Sequence, residues 1–461
     1  MNNNDTRYLI TAYNDALALE NGRPRFFVRN YGCQMNERDA EKLRALLAQL
    51  GYAAADSQDA ADFVLYNTCC VRESAENKIY GHLSRLKARK AGQAGLFIVV
   101  CGCMAQRPEV AEEFRARHNY INVVCGTANR HKLPDFIWQS MQTGRQVIDI
   151  SEEDTLPEIE EVSLTTREYP HKAGVNIMYG CDNFCSFCIV PHVRGREKSR
   201  PAADILTEVR ALADDGVKEI MLLGQNVNAY QADGLDFPAL LRLVHDENPT
   251  LLRIRFMTSH PKDVSSVLVH AIRDLPRVCK SIHLPLQSGS TRILADMNRH
   301  YTQEQYLQTC AQLQAAVPGI AITTDIIVAY PGETDDDFEQ TLHVVNQVKF
   351  AGAFTFIYSP RTGTPAALRT DTPPRKTANQ RFERLTAALY PQMQARNERL
   401  LNTTLAIIAE TPNKGRADDN TLVHFTHEPE PEIKPGDVVH VKIETARSFY
   451  VSGVVVEKSK E

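Results

Sequence analysis

No apolar stretch in this sequence approaches the roughly 20 residues that a membrane-spanning helix needs, and the first 22 residues hold no basic start followed by an apolar run. Neither an anchor nor a secretory leader is expected, and the chain reads as cytoplasmic. Basic residues are not in excess either: 52 Lys and Arg stand against 57 Asp and Glu, a net charge of −5. That balance excludes a globally basic nucleic-acid binder and leaves only local patches to consider. An even disulfide framework is missing too, because the 11 cysteines are odd in number. In a chain without a secretory signal they read as metal ligands or core thiols. The remaining composition, 43% hydrophobic and 24% charged over 461 residues, is that of a soluble protein with two or three domains.

What is present is organised around Tyr179-Gly180-Cys181-Asp182-Asn183-Phe184-Cys185-Ser186-Phe187-Cys188. Three thiols at C-x3-C-x2-C spacing can converge on one centre from a single loop, and soft thiolates select zinc, copper(I) or an iron-sulfur cluster. Three ligands leave a fourth position open, which argues for chemistry over stapling. The alternatives are thiols packed as small hydrophobes, or a zinc site completed by His192.

Before this loop, strands at Phe26 to Tyr31, Asp62 to Tyr66 and Leu96 to Val100 alternate with helices at Glu37 to Leu50 and Ala75 to Lys90. This βαβαβ order predicts a parallel sheet. Each strand runs into cysteine: Cys33, then Cys69-Cys70, then Cys101-Gly102-Cys103. Parallel strands end on one edge, so a second three-thiolate site is expected there. Spacing alone does not choose between Cys69 and Cys70, or between Cys101 and Cys103. Residues 1–24 read as a polar, poorly ordered lead-in, residues 25–150 as this first domain, and 151–169 as an acidic linker.

Residues 170–396 read as six strands alternating with helices, a parallel (β/α)6 open barrel. The strands fall at Asn176 to Met178, Glu219 to Leu223, Arg253 to Met257, Ser281 to Leu284, Ala321 to Val328 and Phe354 to Tyr358. Polar turns follow several of them. Two basic stretches, His192 to Arg200 and Arg375 to Arg399, are candidate RNA contacts. Residues 397–461 predict a small OB-like β-barrel, though with 8 Lys and Arg against 11 Asp and Glu it is acidic.

The cluster loop, with Phe187 before the last cysteine, resembles the signature of the radical S-adenosylmethionine (SAM) superfamily. Tyr31-Gly32-Cys33-Gln34-Met35-Asn36, Asn67-Thr68-Cys69 and Gly102-Cys103-Met104-Ala105-Gln106 resemble the motifs of its methylthiotransferases. Ser186-Phe187-Cys188-Ile189-Val190-Pro191 and Tyr358-Ser359-Pro360-Arg361-Thr362-Gly363-Thr364-Pro365 are most similar to the tRNA-2-methylthio-N6-dimethylallyladenosine synthase (MiaB) family.

The resemblance implies an α/β protein: an N-terminal parallel α/β domain, a central partial (β/α)6 radical SAM barrel, and a C-terminal TRAM barrel. It implies two 4Fe-4S clusters, held by Cys181, Cys185 and Cys188 and by Cys33, Cys69 and Cys103, with two SAM per turnover. Cys70, Cys101, Cys125, Cys279 and Cys310 match no ligand position and read as core thiols. SAM contacts are expected from Phe187, Gln225 and Ser288, although Leu223-Gly224-Gln225-Asn226 departs from the usual Gly-Gly-Glu and Ala329 replaces a common Gly. No protein side chain is expected to act as acid or base.

The implied reaction adds a methylthio group to carbon 2 of N6-isopentenyladenosine in a tRNA anticodon loop. The partners would be an electron donor and a sulfur source, and the protein a monomer. Alternatives are methylthiolation of threonylcarbamoyladenosine in tRNA or of a ribosomal-protein aspartate, and a non-catalytic iron-sulfur or zinc RNA-binding regulator.

Overall fold

A computed structural model describes residues 3–70, 73–151, 167–428 and 432–459. The chain divides into two units. The first comprises residues 1–168 with 179–182 and 189–198, the second residues 169–178, 183–188 and 199–461.

The first unit is a six-stranded, all-parallel sheet of β1 (Arg25–Asn30), β2 (Ala53–Ala54), β3 (Phe63–Thr68), β4 (Phe97–Gly102), β5 (Val123–Cys125) and β6 (Val147–Asp149), in the order β2-β1-β3-β4-β5-β6. Every residue of β3 is buried, as a parallel strand covered on both faces must be. Its alternation sends Val64 and Tyr66 into one apolar layer with Ile98, Val100, Ile79 and Leu83. Phe63 and Leu65 enter the other, with Val99, Leu43 and Leu46. The helices α2 (Gln34–Gln49) and α3 (Glu73–Gly92) contribute to these layers.

The expected lead-in is instead a helix, α1 (Asn3–Asn21). Thr6, Ile10 and Asn14, four residues apart, are buried along one face, and Asn14 Nδ2 donates to Leu50 O at 2.8 Å. One apolar and two polar side chains make that face, so hydropathy does not mark it. Residues 152–166 of the acidic linker lie outside the described residues.

In the second unit, β7 (Lys172–Asn176), β8 (Glu219–Leu223) and β9 (Arg253–Phe256) form a parallel sheet in the order β9-β8-β7. β10 (Ser281–His283), β11 (Ala321–Val328) and β12 (Gly352–Ile357) form another, in the order β10-β11-β12. A parallel bridge between Ile254 and Val278 adds to β9. Six parallel strands are therefore present as two three-stranded arcs, but the first runs over Lys172–Asn176 and not over the expected Asn176 to Met178. Sequence reading missed the helix Phe237–Glu247, which Asp236 caps by accepting from Ala239 N at 3.0 Å.

The last part of this unit is a closed five-stranded barrel of β13 (Thr404–Thr411), β14 (Lys414–Arg416), β15 (Leu422–Thr426), β16 (Val438–Ala446) and β17 (Val451–Lys458). Ile407, Val423, Phe425, Val439, Val441 and Val451 fill it. Two buried arginines of β9 fasten it. Arg253 donates to Arg416 O at 2.6 Å and Ala406 O at 2.9 Å, and Arg255 to Asp418 O at 2.8 Å and Ala417 O at 2.9 Å. Among the described residues, no helix is long and apolar enough to cross a membrane.

Candidate cofactor sites

The first thiol set sits where β1, β3 and β4 end. Gly102 has φ +101, and a Cβ there would lie 2.5 Å from Thr68 O and 2.7 Å from Asn67 Oδ1. Only glycine allows that approach, which lets Cys103 N donate to Thr68 O at 3.1 Å, beside Cys69. Asn36 ties in the remaining motif. Its Nδ2 donates to Thr68 O at 2.8 Å, and its carbonyl accepts from Asn67 Nδ2 at 2.8 Å. Gly32 leaves room for the Asn36 side chain, which a Cβ would meet at 2.4 Å. Cys33 lies at the start of α2 and is exposed, while Cys69 and Cys103 are buried. Gly102→Ala is expected to cost more than about 2 kcal/mol, combining the left-handed strain with the clash, as denaturant unfolding would measure.

Charge around these thiols is positive. Asp39 is buried, and although burial would raise its pKa, Arg130 and Arg194 hold it below the usual carboxylate range. Arg194 Nη2 reaches Asp39 at 3.2 Å and Asn36 Oδ1 at 2.6 Å. Two arginines share one carboxylate, so one positive charge remains, and Arg194 turns it toward Cys103 and Cys33. A hydrogen bond from Cys70, aided by Arg194, lowers the pKa of the Cys103 thiol against burial. Cys70 lies in the core, as read from sequence, and its own pKa is raised by its interaction with Cys103 and by burial. Cys101 and Cys125 lie in the core as well.

The second set lies on the loop after Met178. Cys181 belongs to the first unit and Cys185 and Cys188 to the second. Gly180, at φ +68, fits where a Cβ would be 2.0 Å from Arg196 O, and Cys181 N donates to Gly195 O at 3.3 Å. Cys185 and Cys188 are joined by a tight turn, Cys188 N to Cys185 O at 2.9 Å. The second unit grips this segment through its backbone. Ser186 N donates to Met297 O at 3.0 Å, Ala366 N to Ser186 O at 2.9 Å, and Asn298 Nδ2 to Phe184 O at 3.0 Å. None of the eleven cysteines is in a disulfide. Among the described residues, no three His, Cys, Asp or Glu side chains are gathered as placed into a metal-holding group. The donor chemistry nevertheless fits iron-sulfur ligation, with thiols, backbone turns that only glycine permits, and a cation beside each set.

The other expected contacts fall in different settings. Phe187 packs against Ile293, Met297, Tyr330 and Tyr358. Gln225 follows β8 and is half-buried, on a turn where Gly224 approaches Met178. Ser288 follows β10 and is fully buried, its Oγ accepting from Ser290 N at 3.2 Å. Ala329, after β11, has φ +59, so alanine occupies a left-handed position there. His192, the alternative zinc ligand, is exposed.

Each basic stretch spends part of its charge inside the protein, while Arg196, Arg375, Lys376, Arg384 and Arg399 stay exposed. Arg194 and Arg200 are buried, the latter against Glu208 at 2.6 Å. Arg381 is buried against Glu333 at 2.7 Å, and Arg384 pairs with Glu339. Sequence reading also missed Arg299, whose Nη1 lies 3.4 Å from Cys185 Sγ. No local pattern marks it.

Comparison with known proteins matches residues 175–345 to the Radical SAM superfamily and residues 25–126 to the uncharacterized protein family UPF0004. The tRNA-2-methylthio-N(6)-dimethylallyladenosine synthase of Acetivibrio thermocellus is 44% identical over 95% of this chain and 92% of its own length. The synthase of the same name from Clostridium novyi is 44% identical over 94% and 96%. Among solved structures, the radical S-adenosylmethionine methyltransferase TsrM from Kitasatospora setae aligns with a TM-score of 0.52 over 75% of each chain, at 14% identity. That likeness concerns the fold alone. Given identity of this level along almost the whole length, the chain belongs to the family of tRNA-2-methylthio-N(6)-dimethylallyladenosine synthases, within the Radical SAM superfamily.

Proposed function

We propose that this chain adds a methylthio group to carbon 2 of N6-isopentenyladenosine beside the anticodon of tRNA, acting in the cytoplasm as a monomer. The observation that carries this reading is its 44% identity to relatives named for that one reaction, over nearly the full length of both chains. The Radical SAM family implies a 4Fe-4S cluster and SAM. In our reading Cys181, Cys185 and Cys188 hold that cluster, Cys33, Cys69 and Cys103 hold a second, and two SAM are used per turnover. Bound there, these groups supply the radical that opens the inert carbon-hydrogen bond, together with the sulfur and methyl that replace the hydrogen.

The chain itself supplies position and charge. Asn36 and Gly102 set the first thiols at one sheet edge, and Arg194 faces them with a charge that thiolates neutralise. Asn298 and Met297 hold the second loop by its backbone. Phe187 and Gln225 are the proposed SAM contacts with accessible surface. Ser288, being buried, would act through its turn.

The base must leave its stack to react, which costs least in a single-stranded loop. We assign residues 397–461 to a TRAM-type RNA-binding barrel. Its net charge is negative, so binding would fall to exposed rings such as Phe449 and Tyr450 beside Arg447. A one-electron donor and a sulfur source complete the scheme.

Nucleoside mass spectrometry on tRNA from cells lacking the gene, with and without a restored copy, tests this reading. Methylthio-isopentenyladenosine should vanish and return. Its persistence, with loss of the threonylcarbamoyl counterpart, would move the substrate to the latter.

A further inference from the structure

Arg299 is buried in the second unit, and the groups that act on it most are the Tyr301 hydroxyl and the Cys185 sulfur. Nε donates to Tyr301 Oη at 3.2 Å, Nη2 to Pro285 O at 3.0 Å, and Nη1 to Cys185 Sγ at 3.4 Å. Tyr301 donates its own proton to Leu286 O at 2.7 Å, so it can only accept from Arg299. Among the described residues no carboxylate is paired with this guanidinium. His260, edge-on to Tyr301 at 5.6 Å, adds no charge, because burial and Arg299 push its pKa to about 2. A buried cation without an anion is costly. The anion that would repay that cost here is a thiolate at Cys185.

Backbone geometry supports a site built for this contact. Asn298 and His300, on either side of Arg299, are both left-handed, at φ +58 and +56. The same Asn298 holds the loop through Asn183 O at 3.2 Å and Phe184 O at 3.0 Å. One short segment therefore fixes both the loop and the cation aimed at it. We propose that Arg299 is a positioning residue that serves as fixed counter-charge and hydrogen-bond donor to the Cys185 sulfur, favouring the reduced state of the cluster bound there. Hydrogen bonds to ligand sulfurs and net charge are the levers by which a protein sets such a potential. An added electron makes the cluster more negative, and the cation stabilises that form more.

The inference rests on the assignment of a cluster to Cys181, Cys185 and Cys188, and the test separates the two. The full-length protein is reconstituted with iron and sulfide and carries Cys33→Ala, Cys69→Ala and Cys103→Ala, so that one cluster reports. Its reduction is followed by electron paramagnetic resonance against applied potential. Arg299→Gln is expected to lower the reduction equilibrium constant at least tenfold, a downward shift of about 59 mV for one electron. Arg299→Lys, which keeps the charge, should recover much of it. An unchanged potential in iron-loaded Arg299→Gln overturns the inference. Should that variant load no iron, the unsubstituted Arg299 decides. With nitrogen-15 arginine incorporated, the reduced cluster should show coupling to a guanidinium nitrogen, and absence of that coupling overturns the proposal. A signal that survives Cys181→Ala would remove the cluster from this loop and take the inference with it. A signal lost there, with the potential unmoved by Arg299→Gln, defeats the inference alone.

Discussion

Cys181→Ala is expected to abolish both reductive cleavage of SAM and tRNA methylthiolation, while Cys33→Ala, Cys69→Ala or Cys103→Ala should keep cleavage and lose only the methylthiolated product. Outer partners of a metal ligand are commonly worth about 10–100-fold, so loss of a ligand itself should exceed about 100-fold. Release of 5′-deoxyadenosine and of modified nucleoside, measured on the same reconstituted samples, checks both halves. The split follows from the separation of the thiols into a loop set and a strand-end set, each with its own arginine. Equal loss of cleavage in all four variants would mean that the two sets do not divide the work.

Arg255→Leu is expected to destabilise the second unit by about 3–5 kcal/mol, the cost of breaking a buried ion pair by removing one partner. Asp418 O and Ala417 O would lose their donor, and Glu219, 3.1 Å from Arg255 Nε, would lose its nearer cation. Urea unfolding measures the loss, and limited proteolysis between the helix Arg375–Glu398 and β13 should show the barrel released first. Arg255→Lys should recover less than half, because one ammonium cannot bridge two carbonyls as a planar fork does. A change under about 1 kcal/mol in Arg255→Leu would show that the barrel is held by other contacts.

Strands were legible in the sequence wherever burial on both faces leaves a continuous apolar run, as in β3 and β4. The span Ala321–Val328 is identical in sequence reading and structure. The cysteine motifs were legible because turn glycines and thiols stand next to each other in the chain. Other elements were not. Helix α1 hides because its inward face carries Thr6 and Asn14. The strand Lys414–Arg416 is too short and too polar to register.

Part of the charge in the basic stretches is neutralised by acids from elsewhere in the chain. Arg381 finds Glu333 across 48 positions, and Arg194 finds Asp39 across 155. Local charge counting cannot see a partner so far away. The same holds for Arg299 and Cys185, 114 positions apart.

The arginine fastening of the barrel has a consequence for how this protein can change over evolutionary time. Arg253 and Arg255 grip main-chain carbonyls, which every amino acid carries. Substitutions among the barrel's exposed side chains therefore leave the anchorage untouched. Its outer surface is free to drift while the sheet beneath it stays as it is.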